Sequence, residues 1–161
     1  MKNSKFLIMF FGALFISYLN QSCTEAEAVT PSEFIADSTT FVGYSSWQQF
    51  TETGINSTLG LSAHGGQDST SVRDIYYKDS QSPENGTYPV GTVIYKHVTN
   101  PTGLDAHFAM VKRGSDFNPT NADWEWFILD ATTGSVTTRG GVTMGCNGCH
   151  SAATTDYSFI K

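Results

Sequence analysis

The chain is 161 residues long, 39% hydrophobic and 15% charged, with a formal net charge of −6. That length allows one domain with a real core but not two. The acidic balance argues against nucleic acid as a partner, because nucleic-acid binding selects for basic faces.

Lys2 and Lys5 precede an apolar run from Phe6 to Leu19. This is the layout of a secretory signal, and the run is shorter than the ~20 residues a spanning helix requires. It ends Leu19-Asn20-Gln21-Ser22-Cys23, which resembles a lipoprotein signal with a small residue before the cysteine. Residues 1–22 are therefore expected to be removed, with Cys23 diacylated as the new N-terminus and the protein exported to the periplasmic side on a lipid anchor. Ordinary cleavage nearby, leaving Cys23 as a free thiol, is the alternative. Residues 23–161 hold four lysines and three arginines against 15 acids, a side-chain balance of −8. That charge suits a basic redox partner protein and equally serves solubility.

Residues 23–30 are mostly small and acidic and read as a tether. Thr30-Pro31-Ser32-Glu33 has the form of a capped helix start, predicting a short helix with Phe34 and Ile35 on it. Ser45-Ser46-Trp47-Gln48 repeats the capping pattern and predicts a second short helix whose apolar side is Trp47 and Phe50. Beyond it the texture turns to β. Val72 to Asp79, Thr92 to Thr99, His107 to Arg113 and Trp124 to Asp130 are rich in β-branched and aromatic residues. Glu84-Asn85-Gly86, Asn100-Pro101-Thr102-Gly103 and Thr132-Thr133-Gly134 supply turns between them. The expected class is mainly β (α+β), an antiparallel sheet with a few short helices and a C-terminal haem attachment site, all within one domain over 31–161.

The run Cys146-Asn147-Gly148-Cys149-His150 has the spacing that fastens a c-type haem to protein. Two thiols separated by two residues form thioethers with the haem vinyl groups, and the adjacent imidazole becomes the proximal ligand of the iron. A zinc site needs about four ligands, and the only other cysteine is Cys23, while His64, His97 and His107 show no paired spacing. A thioredoxin-like pair belongs near the start of a βαβ unit, for which 11 residues after His150 leave no room. One covalent haem c per chain is the expectation, held by Cys146, Cys149 and His150.

No methionine follows His150, unlike an ordinary electron-transfer cytochrome c. Met144 is too close to Cys146 to reach the opposite side of a haem, and Met110 lies in an apparent strand where a core role suits it. An open sixth position, and so small-ligand chemistry, is favoured.

Six segments then match one family in order: Tyr44-Ser45-Ser46-Trp47, Ala63-His64-Gly65, the stretch from Tyr88 to Lys96, Met110 to Arg113, Asp123 to Trp126, and the haem motif with Asp156-Tyr157-Ser158-Phe159 after it. Over about Phe41 to Phe159 the chain resembles the cytochrome P460 and cytochrome c′-beta group. The resemblance implies a largely antiparallel β fold, a five-coordinate c-haem on His150, a distal pocket for small nitrogen species and, often, a homodimer. In P460 proper a lysine is cross-linked to the haem and hydroxylamine is oxidised. In the c′-beta branch the cross-link is absent and the haem binds nitric oxide or carbon monoxide.

Lys96 is the lysine the resemblance implies for the cross-link; a strand-end lysine facing water is the other reading. Lys112 and Lys78 are poorer matches. Proton removal from substrate asks for a carboxylate, and Glu125 and Asp123 are the nearest matches, with Asp116 a third option. Flanking Trp124 on a strand, both would point away from the indole and, with the indole buried, lie on the solvent side, which is an objection to either. His64, in a Gly-rich segment, reads as structural or exposed. Two functions stand: an oxidoreductase acting on hydroxylamine or a related nitrogen species, and a non-enzymatic haem protein that binds nitric oxide or passes single electrons.

Overall fold

The computed structural model describes residues 32–53, 64 and 68–159. The signal, the tether, Cys23 and the first half of the expected helix start lie outside the described residues. The protein is mainly β: strands β1 (Gln48–Thr53), β2 (Val72–Tyr77), β3 (Val93–Thr99), β4 (Asp105–Lys112), β5 (Trp124–Leu129) and β6 (Val136–Gly140) form one antiparallel meander in chain order. Short 3-10 turns and one five-residue helix, α1 (Cys146–His150), complete the described residues. None of the described helices is long and apolar enough to cross a membrane.

Because side chains alternate across a strand, the register sorts them into two faces. On the first, Tyr76, Val93, Tyr95, Ala109, Val111, Phe127 and Leu129 are covered by Ala36 and Phe41 of the N-terminal segment; we call it the N-face. On the other, Ile75, Tyr77, Ile94, Met110, Trp124 and Trp126 are covered by Tyr88, Met144, Cys146 and Tyr157; this is the C-face. With cover on both sides, β4 buries Ala109, Met110, Val111 and Lys112 in succession, the continuous burial typical of a strand with no wet face.

Both predicted helices are absent. Glu33 bridges Gly114 and the Phe34 amide donates to the Arg113 carbonyl at 2.8 Å, so the chain runs extended beside the sheet. The second capping pattern yields only a 3-10 turn at Tyr44–Ser46, after which Gln48–Thr53 pairs with β2 over its whole length. In both places pairing with the sheet, along the whole of β1 and at the single Glu33 bridge, outweighs a local capping preference of about 1 kcal/mol. Strand β2 stops at Tyr77, where Asp79 and Ser80 take positive φ of 57° and 53°. The three turns form as read; at the last, Asp130 Oδ1 accepts from the amides of Thr132 and Thr133.

Candidate functional site

Helix α1 lies on the C-face. Its two cysteines are three residues apart, so they stand about one turn apart on the same side of the helix; Cys146 packs into the C-face core and Cys149 is exposed. Asn147 turns the other way and is buried. Its Oδ1 accepts from the Trp126 indole at 2.7 Å and from Asn118 Nδ2 at 3.3 Å, while its Nδ2 donates to the Gly141 and Val142 carbonyls. All of its amide bonding capacity is thus spent pinning α1 to the sheet.

His150 is oriented by the segment after it. Its Nδ1 lies 2.7 Å from the Tyr157 carbonyl. A carbonyl only accepts, so Nδ1 carries the proton and Nε2 of the neutral ring carries the lone pair. Burial holds the ring neutral, pushing its pKa down to about 4. The ring sits 4.6 Å from that of Trp126 and 5.4 Å from that of Phe159.

The Tyr157 carbonyl is aimed by a tight turn in which Asp156 and Tyr157 both have positive φ, 43° and 65°. Two consecutive non-glycine residues in that region store strain, and the sheet holds them there. Asp156 forms a buried ion pair with Lys112 at 2.8 Å, its carboxylate accepts from the Tyr88 amide, and its carbonyl accepts from the Trp124 indole.

Facing this arrangement on the same side of the sheet is Lys96. The register places it between Ile75 and Phe108, and it is no strand-end lysine in water. Burial, reinforced by the positive charge of Arg73, lowers its pKa to about 8. Its Nζ is 3.1 Å from Nδ1 of His64, whose ring lies 4.8 Å from Phe108 and 6.0 Å from His150. Burial first, then the Lys96 charge, pushes the His64 pKa down to about 2, so this ring too is neutral.

The structure therefore brings Cys146, Cys149, His150 and Lys96 to one face and adds His64. Glu125 is not among them. Its neighbours Trp124 and Trp126 occupy the C-face, so the carboxylate points to the N-face. It is not on the solvent side as the alternation alone suggested, but 2% exposed between Arg139 at 2.7 Å and Arg113 at 3.5 Å. Asp123 caps a turn, its Oδ1 accepting from the Asn118 amide at 2.9 Å. Among the described strand residues, the carboxylate that shares the Lys96 face is Glu52 of β1, paired with Arg73 at 3.4 Å.

The donor set fits a c-haem: two thiols one turn apart, and an adjacent neutral imidazole whose Nδ1 is fixed by a carbonyl, the usual outer partner of an iron- or zinc-bound histidine. Asn147, Asp156 and Glu52 carry part of this geometry without standing out as functional in the sequence. Asn147 is the one with a signal, a polar side chain inside the spacer of the motif where either spacer residue must face the protein. No protein-family model, no curated protein and no solved structure matches the chain.

Proposed function

We propose that the protein is an exported c-type haem protein of cytochrome P460 type that oxidises hydroxylamine or a related small nitrogen species. The observation that carries this reading is the pairing, on one face, of the His150 ring held neutral with Nε2 available and a half-buried Lys96 whose amine is desolvated. Attached through Cys146 and Cys149 and ligated by His150, the haem would supply an iron that binds a small ligand and accepts electrons. The remaining work falls to the chain. With its pKa near 8, Lys96 reaches at mildly alkaline pH the neutral form whose lone pair is available for attachment to the haem, where a water-exposed lysine does not. His64 orients that amine through the 3.1 Å contact, and the Phe108 ring lies against His64 at 4.8 Å.

Phe108, an apolar side chain on the same face as Lys96, favours a second reading, a gas binder of cytochrome c′-beta type, in which apolar cover over a bound haem would restrict it to small ligands such as nitric oxide or carbon monoxide. Mass analysis of a proteolytic digest separates the two. A haem peptide joining the Lys96 segment to the Cys146 segment, together with loss of hydroxylamine turnover in Lys96→Leu, supports the oxidase. Haem attached only through Cys146 and Cys149 supports the gas binder. A protein that gives no haem-stained band after denaturing electrophoresis overturns both.

A further inference from the structure

On the N-face, away from α1, the pairing of β3 with β4 sets His97 directly opposite His107. Their rings stack with centroids 4.1 Å apart and an interplanar angle of 18°. Both Nε2 atoms converge on one oxygen, Oδ1 of Asp105, at 2.7 Å and 3.0 Å. Asp105 lies two residues before His107 and so on the same face of β4. The three donor atoms all fall within 4.8 Å of one another. From this juxtaposition we propose a second, non-haem metal site: His97 Nε2, His107 Nε2 and the Asp105 carboxylate bind one divalent transition-metal ion of borderline softness, Zn(II) or Cu(II), with water completing the coordination.

The donor chemistry selects the ion. Two imidazoles and one carboxylate suit zinc, copper or nickel, whereas calcium and magnesium favour oxygen donors throughout and soft ions seek thiolates. Around a tetrahedral zinc, donor atoms stand about 3.3 Å apart. Both rings already present Nε2 to a common point, and the oxygen sits slightly inside that spacing. Asp105 is exposed at the start of its strand, so its carboxylate is the group free to withdraw by the few tenths of an ångström an ion requires.

The surroundings fit as well. Nδ1 of His107 meets the Tyr95 hydroxyl at 2.8 Å, and the Tyr95 ring is fixed by stacking on Tyr44 at 3.9 Å. With a metal on Nε2, Nδ1 carries the proton and donates to the tyrosine oxygen, the outer contact that orients a metal-bound histidine. Asp74 is the cross-strand neighbour of His97 on β2, held by Gln49 and Thr51. Asp130 follows Leu129, the β5 partner of His107. Three carboxylates thus surround two imidazoles, while Arg139 on the same face is tied to Glu125, and the field there attracts a cation.

The test is independent of the haem reading. The mature protein, its thiols consumed by haem or blocked by alkylation, is titrated with Zn(II) alone by calorimetry. One zinc per chain is expected, with affinity at least 10-fold weaker in His97→Gln and in Asp105→Asn. Tyr95→Phe should weaken it by about 10- to 100-fold, as loss of an outer partner does. His97 and Asp105 are chosen because neither is buried, so their variants fold. Cu(II) loaded in place of zinc should show nitrogen coupling from two imidazoles in its electron paramagnetic resonance spectrum, and from one in His97→Gln. Absence of zinc binding by the thiol-blocked protein, or binding that His97→Gln leaves unchanged, overturns the site.

Discussion

Lys112 and Asp156 are the ionic contact on which the His150 geometry most depends, because the carboxylate anchors the strained turn that presents the Tyr157 carbonyl. Their side chains are only 7% and 4% exposed, so each charge has given up its water and relies on the other. Lys112→Met should destabilise the protein by about 3–5 kcal/mol, since it strands a buried carboxylate. Asp156→Asn in the same chain should restore a good part of that loss. Asparagine tolerates positive φ, still accepts from the Tyr88 amide and carries no charge. Urea unfolding of the single and double variants checks this, and a double variant no more stable than Lys112→Met would show that the ion pair is not what holds the turn. The same residue-level logic places Glu125 in the fold and not in the chemistry. Arg113 links it to Glu33 and Arg139 links it to the Ala36 carbonyl, so it ties the N-terminal segment to the sheet.

Among the elements, α1 is too short to be stable alone; five residues make barely one turn, and isolated helices under about 12 residues are marginal. Tertiary bonds must hold it, and Asn147 makes four of them. Asn147→Ala would leave the buried Trp126 indole without its 2.7 Å acceptor, at a cost of about 1–3 kcal/mol. The expected result is a protein that stays folded but shows faster amide exchange across Cys146–His150; unchanged exchange there would mean the helix is held by packing instead. At the other side of the sheet, Gly114 has φ +77° and a Cβ on it would meet the Ser32 carbonyl at 2.7 Å and Val90 at 2.8 Å. Gly114→Ala should therefore cost about 1–3 kcal/mol or more through strain alone, read as a lowered urea midpoint. These elements also mark what the sequence could and could not disclose. Strands β2 to β5 were legible because aromatic and β-branched residues cluster between strong turn signals; the spacing of Cys146, Cys149 and His150 stood out in the sequence, but the helix α1 that carries them was not predicted. Strand β1, Gln-Gln-Phe-Thr-Glu-Thr, is exposed or half-buried throughout and reads as polar surface; only its pairing with β2 makes it a strand. Strand β6 is equally exposed apart from its end. The face that each side chain takes follows from alternation, so Glu125 was separable from Trp124 in advance, but the cover over each face comes from distant segments that no local pattern encodes.

Across the whole molecule, the titrating groups and the net charge make opposing demands on stability. The chain has a net charge of −6 and an isoelectric point near 5.0; if self-repulsion governed, stability would be greatest near that point. The buried groups say otherwise. His150 and His64 are pushed by burial from 6.5 to about 4 and about 2, so as pH falls below 6.5 the unfolded chain takes up protons that the folded protein refuses, and stability falls. Asp37, Asp68, Asp105 and Asp130 have folded pKa values lowered by hydrogen bonds to their neighbours, and the stability they add is lost as pH falls through those values. On the alkaline side Lys96 has the same sign. Burial sets it at about 8 against 10.5 unfolded, so between those values the unfolded chain holds the extra proton and stability rises with pH. Above 10 the tyrosines reverse the trend, because burial raises Tyr77 and Tyr95 and only the unfolded state then releases their protons. Urea midpoints of the haem-free protein measured from pH 4 to 11 should therefore climb through neutrality, peak between about pH 8 and 10 and then decline, and Lys96→Met should flatten the rise above pH 8. A maximum at pH 5 to 6 would mean that net charge outweighs the buried groups, and an unchanged slope above pH 8 in Lys96→Met would remove Lys96 from the desolvated face where its proposed chemistry depends on it.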